Sequence, residues 1–132
     1  MAGFATLAST VGAPITHTYK LDDANATDGL LLNFKNDSGL TCLVHVGYYI
    51  VTQAASGHEM EIGVTTTSAE KTKSITDSGT ATSTSVVWSD GKDIIADGSY
   101  LTMYNVSTDT ATAATSLVGY AVVELWPVCA VV

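Results

Sequence analysis

Turn signals recur about every ten residues along this chain, and the helical period is nearly absent between them. Stretches 22–29, 35–39, 54–57, 77–79, 89–91, 96–98 and 107–115 are rich in Gly, Asn, Asp and Ser. Glycine reaches backbone angles closed to other residues, and short polar side chains bond their own backbone, so these stretches read as turns and loops. Between them lie β-branched and aromatic runs at 15–20, 30–35, 40–52, 58–64, 71–76, 81–88, 99–106 and 116–126. About eight strands with short links predict an all-β chain, a β-sandwich of antiparallel strands.

Period-two patterning assigns faces to these strands. In the run 58–64, Met60, Ile62 and Val64 are expected to face the core and Glu59 and Glu61 water. In 99–106, Tyr100, Tyr104 and Val106 are placed on the core side, alternating with Ser99 and Asn105, while Leu101 and Met103 dilute the polar face. Two runs break the rule. The run 40–51 sets Leu40, Cys42, Val44, Val46, Tyr48 and Ile50 on one face and Leu43, Tyr49 and Val51 on the other. The final run sets Leu117, Gly119, Ala121, Val123 and Leu125 against Val118, Tyr120, Val122 and Trp126, with Glu124 as its only charge. A strand apolar on both faces lies between two layers or at a subunit contact. After Pro127 the chain stays apolar through Val132, where termini are ordinarily polar. A covering subunit is the simplest account.

Eight strands in two sheets suggest a jelly-roll-like single domain over residues 15–132. Residues 1–14 have no clear strand pattern and are read as an N-terminal arm lying along a neighbour, with Pro14 marking its end. The runs 71–76 and 81–88, around the turn at 77–80, read as an exposed threonine-rich hairpin.

Composition narrows the function. Charged residues make up 14% of the chain, and serine and threonine about a quarter, so the surface is largely neutral hydroxyls and methyls. The five basic residues are all lysines and the formal net charge is −8. Without the bidentate forks of arginine, and with this charge, neither nucleic acid nor an anionic membrane is an expected partner. The first fourteen residues lack the basic start and apolar core of a secretory signal, so the sequons at Asn25, Asn36 and Asn105 are taken as chance.

No cofactor or metal is expected. Asp22, Asp23 and Asp28 fit no EF-hand spacing and are ordinary turn residues. His17, His45 and His58 form no ligand pattern, and His45, within an apolar strand, reads as a hydrogen-bonded buried or interface residue. Cys42 and Cys129 match no metal or redox spacing. They read as reduced small apolar residues, with a disulfide pinning the tail as the alternative. No nucleophile motif occurs, so an enzyme is not expected. Of the adjacent Tyr48 and Tyr49, one belongs to the core and the other is available, and Trp88 and Trp126 sit at strand ends typical of half-buried rims.

A short, acidic, Thr/Ala/Gly-rich β domain with an apolar arm and Glu124-Leu-Trp-Pro127 near its end resembles the small decoration (cement) proteins of tailed-bacteriophage capsids. The resemblance is one of composition and architecture and carries over no residue role. It implies a structural virion protein on the outer capsid surface, a homotrimer that binds a major capsid protein and staples neighbouring subunits. The expected contact residues are Phe4 and Leu7 of the arm and Tyr120, Val122, Trp126 and Val128 of the last strand. The alternative is a carbohydrate- or receptor-binding jelly roll of a fibre or adhesin, which would present an exposed aromatic platform.

Overall fold

The computed structural model describes residues 14–22, 29–52, 58–75, 87–88, 93–107 and 117–128. They are all-β, with no helix among them, and the strands fall into two antiparallel sheets. In chain order these are β1 (Ile15–Asp22), β2 (Leu30–Lys35), β3 (Cys42–Thr52), β4 (His58–Thr65), β5 (Val87–Trp88), β6 (Asp93–Ile95), β7 (Tyr100–Ser107) and β8 (Val118–Pro127). The larger sheet runs β1-β8-β3, and the far edge of β3 is shared by β6 along Cys42–Val44 and β5 at Gly47–Tyr48. The smaller sheet runs β2-β7-β4.

The two sheets share one core, a sandwich-like arrangement. From the larger sheet come Leu21, Cys42, Val44, Val46, Tyr48, Ile50, Ile95, Ala121, Val123 and Leu125; from the smaller, Leu32, Met60, Ile62, Leu101 and Met103. The period-two pattern explains why these residues meet, since alternate positions of each strand point the same way. β1 and β8 pair without a break from Ile15↔Leu125 to Asp22↔Val118. β3 and β8 pair from Cys42↔Pro127 to Thr52↔Val118, with one register shift between Ile50 and Thr52. The two strands that lack a polar face are therefore neighbours over their whole length.

Three expectations need correction. Residues 71–75 form no strand. They run beside the edge of β4, where the amide of Ile75 donates to the carbonyl of Ile62 at 3.0 Å and that of Val64 donates to Ser74 Oγ at 2.8 Å. Glu61 does not face water: it is buried and pairs with Lys73 Nζ at 3.0 Å. In β7 the facing is inverted. Leu101 and Met103 pair with Val64 and Ile62 over the core, while Tyr104 lies opposite Glu61 on the other face. β6, three residues long, falls outside every run expected as a strand.

Candidate functional site

The two outer faces differ in chemistry. On the smaller sheet, residues 66–74 cross the outside through polar contacts, and Ile75 follows them into the core. Asn33 Nδ2 donates to Ser68 Oγ at 2.9 Å, and its Oδ1 accepts from the amide of Ala69 at 3.0 Å. Thr102 Oγ1 donates to the carbonyl of Glu70 at 2.7 Å, and the Tyr104 hydroxyl donates to that of Ala69. Lys71 Nζ lies 5.1 Å from the centre of the Tyr104 ring. Gly63 lets the strap approach: a Cβ there would stand 2.5 Å from Thr72 Cγ2 and 2.7 Å from the amide nitrogen of Ser74. This face is covered by the chain itself.

On the outer face of the larger sheet, apolar residues of β3, β6 and β8 and the Trp88 indole of β5 surround His45 and Glu124 and are bordered by Thr16, Thr18 and Lys20 of β1, and the register sets side chains in rows. Trp126 of β8 stands opposite Leu43 of β3, which stands opposite Ile94 of β6. The next row runs Thr16, Glu124, His45. Then come Thr18, Val122, Gly47 and Trp88, and after them Lys20, Tyr120 and Tyr49. Trp88, Ile94 and Tyr120 are 43%, 47% and 47% exposed, and Val51, at the register shift of β3, is 56% exposed.

At its centre the face is closely packed. The Trp88 ring lies over Gly47, where a Cβ would come within 2.8 Å of Cε3. The same ring stacks on the imidazole of His45, with centroids 4.6 Å apart and planes inclined by 21°. His45 Nδ1 in turn meets Glu124 Oε1 at 3.2 Å. A flat indole, an imidazole and a carboxylate thus form one connected row in the middle of an otherwise apolar patch.

Tyr120, Val122 and Trp126 all lie on this face. Val128, just past β8, is exposed, and its amide donates to the carbonyl of Thr41 at 2.9 Å. Phe4 and Leu7 lie outside the described residues, as do Asp23, Asp28 and Cys129. Tyr48 is buried and Tyr49 is on the outer face. The residues the sequence did not single out are Leu43, Ile94 and Val51. Leu43 and Val51 were visible as the second apolar face of their strand, whereas Ile94 was hidden by the turns around it.

Elsewhere the chemistry is sparse. A cleft of about 370 Å³ where β1 and β2 approach each other is lined by Ile15, His17, Phe34 and Leu125, with Asn36 and Ser38 at its rim. A more open cleft of about 570 Å³ lies between the strap and β6, lined by Glu70, Lys71, Asp93 and Ile94 among others. No group of three or more His, Cys, Asp or Glu able to hold a metal occurs among the described residues. Cys42 is a buried thiol whose sulfur neighbours Ser38 Oγ and the Leu40 carbonyl. Burial raises the Tyr19 hydroxyl above the usual tyrosine range. Comparison with protein-family models, curated proteins and solved structures returns no match for this chain.

Proposed function

We propose that the chain is a jelly roll that serves as a structural virion protein, decorating and stabilising a phage capsid as a homotrimer bound across neighbouring capsid subunits. Strand pairing supports the fold. A long hairpin rolled on itself pairs its first strand with its last, its second with its next-to-last and its third with its third-from-last. β1 with β8, β2 with β7 and β3 with β6 are those pairs. The segment 72–75 borders β4 where the remaining strand of such a roll would lie. In this reading residues 15–132 are the domain and residues 1–14 an arm reaching a neighbour.

One observation carries the functional reading: the larger sheet keeps several large apolar side chains exposed on its outer face, around the His45–Glu124 pair, while the smaller sheet is covered by its own strap. Water is a poor neighbour for the first surface, and another protein surface is a good one. Each large apolar group covered there contributes roughly 1.5–3 kcal/mol. The composition suits the role, since neutral hydroxyls and methyls desolvate at little cost.

The test is Trp126→Ala in the full chain. Light scattering on a sizing column and cosedimentation with capsid shells of the phage that carries the coding sequence should both show weaker association. An unchanged oligomer with unchanged capsid occupancy rejects the proposal. The exposed Trp88 indole stacked on His45 favours one other reading, a carbohydrate- or receptor-binding module with an aromatic platform. Glycan-array binding that Trp88→Ala abolishes, without any effect on assembly, would establish that reading instead.

A further inference from the structure

We propose that the cleft between the start of β1 and the end of β2 receives Phe4 from the arm of a neighbouring copy. The inference rests on the reading of residues 1–14 as an arm that reaches a neighbour, and names the place where it lands.

The cleft measures about 370 Å³, and strand alternation builds its interior. Ile15 and His17, alternate residues of β1, line it with Phe34 of β2 and with Leu125, the partner of Ile15 in β8. Leu125 belongs to the core, whereas Ile15 is 38% exposed at the edge of the sheet. The His17 ring lies 5.3 Å from that of Phe34, and both stand about as far from Tyr19, at 6.2 and 5.9 Å between centroids. Rings at these spacings attract one another, so this wall offers a further ring well-matched neighbours. At the rim, Lys35 pairs with Asp37 at 3.6 Å, and the Ser38 hydroxyl donates to Asn36 Oδ1. Each rim charge already faces its opposite and the interior is apolar, so an uncharged, apolar guest fits best.

Residues 1–13 supply one. They carry no charged side chain, and Phe4 is their single aromatic residue. They join the described chain at Pro14, and Ile15 is itself a lining residue, so the arm starts from the mouth of the cleft. Stretched out, residues 4–13 span up to about 35 Å. A domain of this size has a radius of gyration of about 13 Å. The arm is therefore long enough to reach the same cleft on an adjoining copy. Each copy then gives one arm and receives one, and a head-to-tail contact of this kind closes into a ring such as a trimer. Seating the ring takes Phe4 and the open side of Ile15 out of water together.

Nuclear Overhauser contacts in the full chain test this. In a sample that mixes isotope-labelled with unlabelled copies, filtering keeps only the contacts between different copies. The Phe4 ring of one copy should then contact the Ile15 and Leu125 methyls of another. In sedimentation equilibrium, Phe4→Ala should lower the association constant about tenfold or more, and Phe4→Leu should lower it less. Contacts found only within one copy overturn the exchange, and with it the reach of the arm to a neighbour. Contacts between Phe4 and some other surface of the neighbour overturn the cleft as its seat and leave the arm standing as a contact. Association of Phe4→Ala equal to wild type removes Phe4 from the interface. A wild-type chain that stays monomeric overturns both the cleft and the arm.

Discussion

Asn36 follows the last residue of β2, is fully buried, and has a side chain that joins separate stretches of chain. Its Nδ2 donates to the carbonyls of Leu40 and Ile95 at 2.8 and 3.1 Å, and its Oδ1 accepts from the amide and hydroxyl of Ser38. Its own amide donates to Ser99, and its carbonyl accepts from Gly98. The residue thereby ties the end of the smaller sheet to β6 of the larger one. Removing the side chain leaves carbonyls without their donor, so Asn36→Ala should cost about 2–3 kcal/mol. Urea unfolding should show a lower midpoint at unchanged slope, and a variant with the wild-type midpoint would mean that water replaces the amide. The same burial leaves no room for a glycan on Asn36 in the folded protein, since the nitrogen and the oxygen of its amide are both engaged inside it. Nothing in the hydrophobic pattern marks such a residue, because a buried asparagine and a turn asparagine are spelled alike.

At the scale of elements, the strap covers the outer face of the smaller sheet, and among the described residues no such segment crosses that of the larger one. Gly63→Val would drive a side chain into Thr72 and the backbone of Ser74. The strap must then lift or β4 must shift, and overpacking of this kind costs about 1–3 kcal/mol. Amide exchange should quicken at Val64 and Ile75, whose hydrogen bonds join strap to strand, while β8 amides stay protected. Equal protection in both places would show that the strap yields without detaching. This element also shows where sequence reading stops. Alternation correctly placed Met60 and Ile62 in the core, and it set Glu61 in water because it cannot see a distant segment laid across the strand. The run 71–76 has strand composition, yet its described residues 71–75 give hydroxyls and lysines to the sheet beneath them and form no strand. In β7, aromatic rings drew the core assignment to the wrong parity, since a tyrosine capped by a loop carbonyl is as well buried as a leucine in the core. β3 and β8 were legible because their signal is local: both faces are apolar in the sequence, and both strands lie inside the larger sheet. That they lie side by side, and so merge two half-patches into one surface, is a property of topology that neither strand states alone.

For the whole molecule, two long-range terms oppose each other. The formal net charge of −8 makes copies repel, while burial of the apolar side chains on the outer face of the larger sheet would favour the proposed association. Repulsion between like-charged copies is screened once salt shortens the Debye length to below about 10 Å. Apolar contact is not weakened by salt, and excluded anions such as sulfate strengthen it. Association through this face should therefore grow as salt is raised from about 0.05 to 0.5 M, the reverse of an interface held by ion pairs. It should also make the melting temperature rise with protein concentration, because the partner binds only the folded chain. The double variant Tyr120→Ser with Val122→Thr changes outward positions alone, so it should keep its fold and the thermal stability of the dilute protein. Its melting temperature should no longer depend on concentration, and salt should no longer promote assembly. Met103→Ala, by contrast, empties a core position and should cost about 2–5 kcal/mol at every concentration. Association that falls as salt rises would mean that charged groups outside the apolar rows hold the subunits together. A double variant that melts with the wild-type concentration dependence would place the contact elsewhere on the molecule.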